Sequence, residues 1–501
     1  MSPELIRRLS RPSAAALCAL LIGMFFLTTI REGHDWGDDF SQYIRHAQNL
    51  ARGEPYADTG YIYNPLNPVV GPRVYPPGFP LLLAPVVGMF GLDLRPMKIL
   101  VLGFFVGSLL VMVRLFRTVL PTPHLTALVV IVGLNPFFWE LKDHVLSDVP
   151  FLFFCLLSLA LFTQADVPDA SRGRRATLAV LSGVAAYAAY ATRPLAVTLI
   201  PCFVAHDLAR HRRIGPNATL ATAVVMTLAG VQHVFWFRDT SYFDQVSNPL
   251  AAVRQNAFAY LQALADLWEN GYSNRARKIA FLAATGLAAV GYGKSFQGGP
   301  SVLQLFPLLY VAPVMLWPSY QGMRLLIPIV PFYVCYCLLG VHRIDAAAAR
   351  RWGTANAVLG VFLAAVLASY ACRYSTLTFG PLAEGIAKQE SRELFEFVRI
   401  ATNPDDVLVF SRPRALALMT GRRVSGGYSP DDPCRLWQYI REIGATYVIT
   451  GPAPDRFNGD ALYLGQFIAR FGDDLRRVMA NRDLAVYRIH RDPCRPGNQS
   501  P

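Results

Sequence analysis

The sequence predicts a polytopic α-helical membrane protein of about eleven spans that ends in a small soluble α/β domain. Three observations carry this. Of 501 residues, 53% are hydrophobic and only 16% charged, a balance too apolar for an ordinary soluble protein. The apolar stretches recur at about 17–22 residues, enough to cross roughly 30 Å of hydrocarbon. From about residue 385 the pattern changes, with frequent charges and apolar runs of strand length.

The formal net charge of +13 raises the question of nucleic acid, but the basic residues do not form one patch. They sit in short groups between apolar runs: Arg7, Arg8 and Arg11; Arg114 and Arg117; Arg172, Arg174 and Arg175; Arg210, Arg212 and Arg213; Arg343, Arg350 and Arg351. That is the bias of cytoplasmic loops, and it excludes nucleic-acid binding as the reason for the charge. With the N-terminus inside, span 1 covers about 14–30. It has the basic front and apolar middle of a signal peptide, yet no small-residue cleavage site precedes Arg31, so it reads as a retained anchor.

A polar loop, 31–80, follows outside, and its helix carries Asp38, Asp39 and Tyr43. The run 79–90 holds Pro80 and Pro85 and is too short to span, so it reads as interfacial or re-entrant. Spans 2, 3 and 4 are expected at about 96–113, 124–139 and 149–164, with Glu140, Lys142, Asp143, His144 and Asp148 in a loop outside. Span 5 rises through about 176–191 and turns at Thr192-Arg193-Pro194, and span 6 descends to Arg210. Span 7, about 218–236, leads to an outer segment, 238–277, and the aromatics of 235–243 and 258–272 read as an interfacial belt. Spans 8 to 11 follow at about 278–293, 302–317, 325–341 and 354–371. This count puts every Arg group on one side, and the aspartate loop and C-terminus on the other.

The domains expected are therefore 1–384, a membrane domain carrying the loop 31–80, and 385–501, an extracytoplasmic α/β domain. Strands are expected at Val407–Phe410, Tyr447–Thr450 and Ala485–Ile489, with amphipathic helices at Arg392–Ile400, Leu436–Ile443 and Ala461–Arg477. Of 8 cysteines, Cys18, Cys155, Cys202, Cys335 and Cys337 lie in apolar runs, where thiols behave as small hydrophobes. Cys434 and Cys494 share the C-terminal domain, which the count puts in an oxidising compartment, so they can form a disulfide. Cys372 is a competing partner.

Carboxylates beside a bilayer are costly without a task. Asp39 lies four residues before Tyr43 and eight before Ala47, so the three share a helical face, while Asp38 points elsewhere. The bland alternative is that both cap their own helix. Asp148 either orients an acceptor or caps span 4, and Arg324 either binds an anion or snorkels at the interface. Glu140, Asp143 and His144 lack the spacing of a zinc helix and read as a solvated loop.

The pattern D-x-x-x-Y-x-x-x-A-x-x-L-x-x-G-x-x-Y, Asp39 to Tyr56, with YPPG at Tyr75–Gly78, resembles the GT-C glycosyltransferases. It is closest to their protein O-mannosyltransferase and lipid A aminoarabinose transferase branch. LSDVPFLFF (Leu146–Phe154), TRPLAVTLIP (Thr192–Pro201) and QGMRLLIPIVPF (Gln321–Phe332) extend the resemblance over roughly residues 14–371, in the family's order. It implies a membrane enzyme that transfers a sugar, with inversion, from a polyprenyl-phosphate donor on the non-cytoplasmic face of the cell (inner) membrane. The acceptor would be a protein, glycolipid or polysaccharide.

Such chemistry needs a base at the acceptor and cations for the departing phosphate. Asp39 is the favoured base, with Asp38 as second candidate or hydrogen-bond partner. Arg324, then Arg193, are the favoured phosphate ligands; Tyr75 and Gln321 belong to the donor groove, and Asp148 and Tyr43 to the acceptor side. No cofactor is firmly implied; a divalent metal is compatible, but one carboxylate pair does not demand it. The rival readings are a lipid or solute transporter or flippase, which would carry charges in mid-span, and an inactive relative serving as a scaffold.

Overall fold

The computed structural model describes residues 14–494 apart from 168–169, 237–248, 319, 353–355 and 452–459. Arg7, Arg8 and Arg11, and most of the aromatics expected at 235–243, lie outside these. The chain divides into two compact units. One contains the N-terminal segment to Ile30, Lys98–Arg238 and Ser247–Phe379; the other gathers Arg31–Met97 with the chain from Gly380 onward. The first loop therefore belongs with the C-terminal region, where the sequence reading had assigned it to the membrane domain.

The first unit is helical. Among the described residues, four helices are long and apolar enough to cross a membrane: Leu94–Phe116, Asp148–Ala165, Pro216–Phe235 and Ala357–Tyr374. Ala14–Thr28, Thr122–Gly133 and Val302–Leu316 are apolar but shorter. The expected span 124–139 is interrupted: one helix ends at Gly133 and a short one runs Pro136–Leu141. Pro136 has no N–H for the helical ladder. Asn135 before it accepts from Phe137 N–H at 3.0 Å and donates to Leu267 O and the Tyr370 hydroxyl, which anchors the break in the core.

Helix pairs meet through small residues, as apolar surroundings require. Ser158 and Ser182 each donate to the other's carbonyl at 2.9 Å, joining Asp148–Ala165 to Arg172–Thr192. Helices Asn274–Ser295 and Val330–Trp352 approach at Gly291 and Gly340. A Cβ on Gly291 would strike Tyr336 O, and one on Gly340 would strike Leu287 O.

The second unit is built on a six-stranded sheet of order β1-β3-β2-β4-β6-β5. Its strands are β1 (Tyr61–Ile62), β2 (Val407–Val409), β3 (Arg423–Ser425), β4 (Ala445–Thr450), β5 (Leu475–Ala480) and β6 (Ala485–Ile489). β1, from the first loop, pairs in parallel with β3, with Tyr61 opposite Val424. β2 pairs in parallel with β3 and β4, whereas β6 runs antiparallel to β4 and β5.

The helix expected over Ala461–Arg477 ends at Arg470, and its last residues enter β5. Strand β1, strand β3 and the helix Pro413–Thr420 have no counterpart in the sequence reading. Leu436, Trp437, Ile440, Val448, Phe467 and Leu475 fill the core. Trp36 of the first loop packs edge-on against two other rings, 5.7 Å from Phe395 and 5.6 Å from Phe410. Cys434, just inside the helix that Asp432 caps, is bonded to Cys494, while Cys372 is a free thiol.

Candidate active site

Two charged clusters carry the candidate chemistry, one in each unit. The first is built on the helix Asp38–Arg52. Gly37 is its N-cap and no side chain caps it, so neither aspartate does the local task open to it. Asp38 instead accepts from the backbone N–H of Ala415 at 2.9 Å and of Arg414 at 3.3 Å. It thus caps the helix Pro413–Thr420, whose Pro413 stands in the first turn where a missing N–H costs nothing. A carboxylate there also meets the positive end of the helix dipole.

The Arg414 side chain turns back into the same cluster. Its Nε is 3.4 Å from Asp38, and its Nη1 donates to the Tyr75 hydroxyl at 2.6 Å and stands 3.5 Å from Asp39. Nη2 donates to Val70 O. Gly71, at φ 131°, leaves the room: a Cβ there would occupy the guanidinium's place. Tyr75 in turn donates to Asp39 Oδ1 at 2.6 Å.

Burial pushes the Asp38 carboxyl above its ordinary value, against the opposing pull of Arg414 and the two amides. Burial works against the Arg414 charge too, but Tyr75, Asp38, Tyr61 and Asp39 around it raise its pKa further. Tyr75 is pushed well up by burial, so it stays a proton donor to Asp39. The aspartates thus differ: Asp38 is 8% exposed and committed to the helix end and guanidinium, while Asp39 is 25% exposed with one oxygen held by Tyr75.

His46 braces the arrangement. Its Nδ1 pairs with Tyr56 O at 2.8 Å, and its Nε2 accepts from Tyr75 N–H at 3.2 Å. That pairing fixes a neutral ring with the proton on Nδ1. Burial lowers its pKa to about 3, with Arg414 adding to the effect and the Tyr56 carbonyl opposing it. The Tyr56 hydroxyl closes the loop by donating to Tyr75 O at 2.9 Å. Tyr43, expected on the acceptor side, is buried, its ring 4.6 Å from Tyr75 and 5.0 Å from Phe79. It supports Tyr75 by packing.

The second cluster lies in the helical unit. The helix Arg172–Thr192 ends where Pro194 disfavours helix for the residue before it, and Arg193 is extended there at φ −149°, ψ 126°. Its Nη2 reaches Asp148 at 2.8 Å and its Nε donates to Ser147 Oγ at 3.1 Å. Arg324, on the single turn Gly322–Leu326, meets the same carboxylate through Nη2 at 3.1 Å and Nε at 3.3 Å. The backbone N–H of Gln321 donates to the Tyr260 hydroxyl at 3.3 Å.

Asp148 was expected to face an acceptor or cap its helix. Its carboxylate has no exposed surface and is held between two guanidinium groups that are 15% and 25% exposed. A fully covered carboxylate cannot meet a substrate hydroxyl; this one fixes two partly exposed cations. Nearby, the loop read as solvated is in part buried: Lys142 and Asp143 form an ion pair at 2.7 Å, with Lys142 4.0 Å above the Trp139 ring. Glu140 pairs with Arg373 at 3.5 Å, so these acids are matched to cations.

Arg414 is the residue that the sequence reading missed. Its signal is faint: Arg412-Pro413-Arg414 opens a helix just past the carboxyl end of a parallel strand, where ligands gather in α/β sheets.

No family model matches the chain, and no curated protein does. Solved structures do. ArnT from Cupriavidus metallidurans, bound to undecaprenyl phosphate, superposes at TM-score 0.59 with 12% identity, over 97% of this chain and 98% of that one. The Archaeoglobus fulgidus oligosaccharyltransferase superposes at 0.58 with 11% identity, over 87% and 67%. The mycobacterial arabinofuranosyltransferase AftD superposes at 0.57 with 13% identity, over 95% of this chain but 41% of its own. All three are GT-C glycosyltransferases, and the chain has the GT-C fold. With its apolar helices, it is an integral membrane protein.

Proposed function

We propose that the protein is a membrane glycosyltransferase that moves a sugar from a polyprenyl-phosphate donor to an acceptor on the extracytoplasmic face, with inversion. The observation that carries this is the unequal use of the paired aspartates. Asp38 is consumed by structure, while Asp39 keeps a partly exposed carboxylate oriented by Tyr75. In the reaction, Asp39 takes the proton from the acceptor hydroxyl or amine as that group attacks the anomeric carbon. The bond from that carbon to the phosphate oxygen breaks, and the lipid phosphate leaves with the electron pair. Arg324 and Arg193, held ready by Asp148, receive the phosphate charge in the fork geometry that suits them.

The ArnT neighbour, solved with undecaprenyl phosphate, supports the donor class, and the Archaeoglobus enzyme has been solved with dolichol-phosphate. A transporter would carry its charges in mid-span. Here Asp148 is the first residue of its helix and Arg193 follows the last of its own, which favours chemistry at a membrane surface.

The topology proposed has the N-terminus inside, about eleven spans, and the unit containing Asp39 outside. A reporter inserted after Arg477 should be active only outside the cytoplasm. For catalysis, the Asp39→Asn variant, reconstituted with donor and acceptor, should lose about 10²–10⁴-fold in turnover while remaining folded. Near-wild-type turnover would overturn the assignment.

A further inference from the structure

At the far end of the helix that begins with Asp148 lies a second group of polar residues that the transfer reaction does not use. Asp166 follows the last turn of Asp148–Ala165, and His206, Asp207 and His211 lie at the end of the helix Leu199–His211. Eighteen residues rise about 27 Å along a helix, so this group and Asp148 stand at opposite ends of a membrane-length segment. We propose that Asp166, His206, Asp207 and His211 form a zinc site at that end.

One ligand atom from each residue lies within 4.8 Å of all the others. The His206 Nε2 is 3.2 Å from one Asp166 oxygen and the His211 Nε2 is 3.4 Å from the other. Ligands bound at about 2.0–2.1 Å in a tetrahedron stand roughly 3.3 Å apart, so each histidine already stands near the required distance from one of the two Asp166 oxygens. Two imidazoles and two carboxylates are a nitrogen–oxygen set suited to zinc, and the two acids balance a divalent charge.

The surroundings fit. Asp207 and His206 form a buried floor, while His211 is exposed and leaves an entry path. Gly215 N–H donates to Asp207 Oδ2 at 2.7 Å and orients that carboxylate as an outer partner would. The buried Nδ1 of His206 meets no hydrogen-bond partner among the described residues, so the cluster alone engages the ring's polar atoms. Arg210, 4.0 Å from Asp166, is half-exposed and able to swing away. A bound ion would tie the end of Asp148–Ala165 to the end of Leu199–His211 and, through the Gly215 contact to Asp207, to the start of the helix at Pro216.

The test uses the full-length protein in detergent, stripped with chelator and equilibrated with Zn²⁺ or with Mg²⁺. Elemental analysis should find about one zinc per chain, with a raised Tm, and no retained magnesium. His211→Ala, an exposed position that does not threaten folding, and Asp166→Asn should each weaken zinc binding about a hundredfold. Wild-type protein that retains no stoichiometric zinc, variants that retain it unchanged, or Mg²⁺ that stabilises as well as Zn²⁺ would each overturn the site.

Discussion

The Asp38 carboxylate accepts a hydrogen bond from the Ala415 backbone N–H at 2.9 Å, across 377 residues of chain. It anchors a helix that the sequence pattern does not announce. This contact separates the neighbouring aspartates into a structural acid and a chemical one.

That separation predicts opposite phenotypes. Asp38→Ala leaves the buried Arg414 charge short of a partner and removes a cap, so it should cost about 3–5 kcal/mol of stability. Asp39→Asn keeps an acceptor for Tyr75 and should shift Tm little while removing turnover. Thermal melts and transfer assays on both variants check this; a stable Asp38→Ala protein would show that the cap matters little.

The guanidinium pair should govern donor affinity. Arg193→Ala and Arg324→Ala each remove a charge-assisted contact, worth about 1.5–3 kcal/mol, so the KM for donor should rise roughly 10–150-fold. Truncated donors lacking the phosphate should bind wild type and variants alike. Equal KM values for the full donor would remove these arginines from the phosphate role.

His46 gives a pH dependence with a definite sign. Its native pKa of about 3 lies below the unfolded value of 6.5, so the unfolded state binds the extra proton between those limits. By linkage, the His46 contribution to stability is level above pH 6.5 and falls as pH drops toward 3. At pH 5 the loss is about 2 kcal/mol. His46→Gln should flatten this part of the stability profile, and a slope identical to wild type would assign the acid sensitivity to other groups.

The Cys434–Cys494 bridge closes a segment of 60 residues. In the chain-entropy account, reduction should remove about 2–4 kcal/mol, read as a lower Tm in reductant and abolished by Cys494→Ser. Mass spectrometry of unreduced protein should recover the two peptides linked.

Much of this architecture is visible in composition and periodicity. Long apolar helices, the break to strand-length runs near residue 385, and the candidate groups Asp39, Arg193, Arg324 and Tyr75 all follow from local spacing and the motifs. Local spacing works because a helix or strand repeats its buried face every few residues.

The sequence by itself determined a helical membrane chain with acids and arginines at helix ends. Only the tertiary structure decided which of them meet: Asp38 with Arg414, Asp148 with both Arg193 and Arg324, and β1 with β3. Each of these contacts joins residues dozens to hundreds of positions apart. A two-residue strand or a single buried arginine leaves no periodic trace, because its partner is set by packing and the need to match a buried charge, not by its neighbours in the chain.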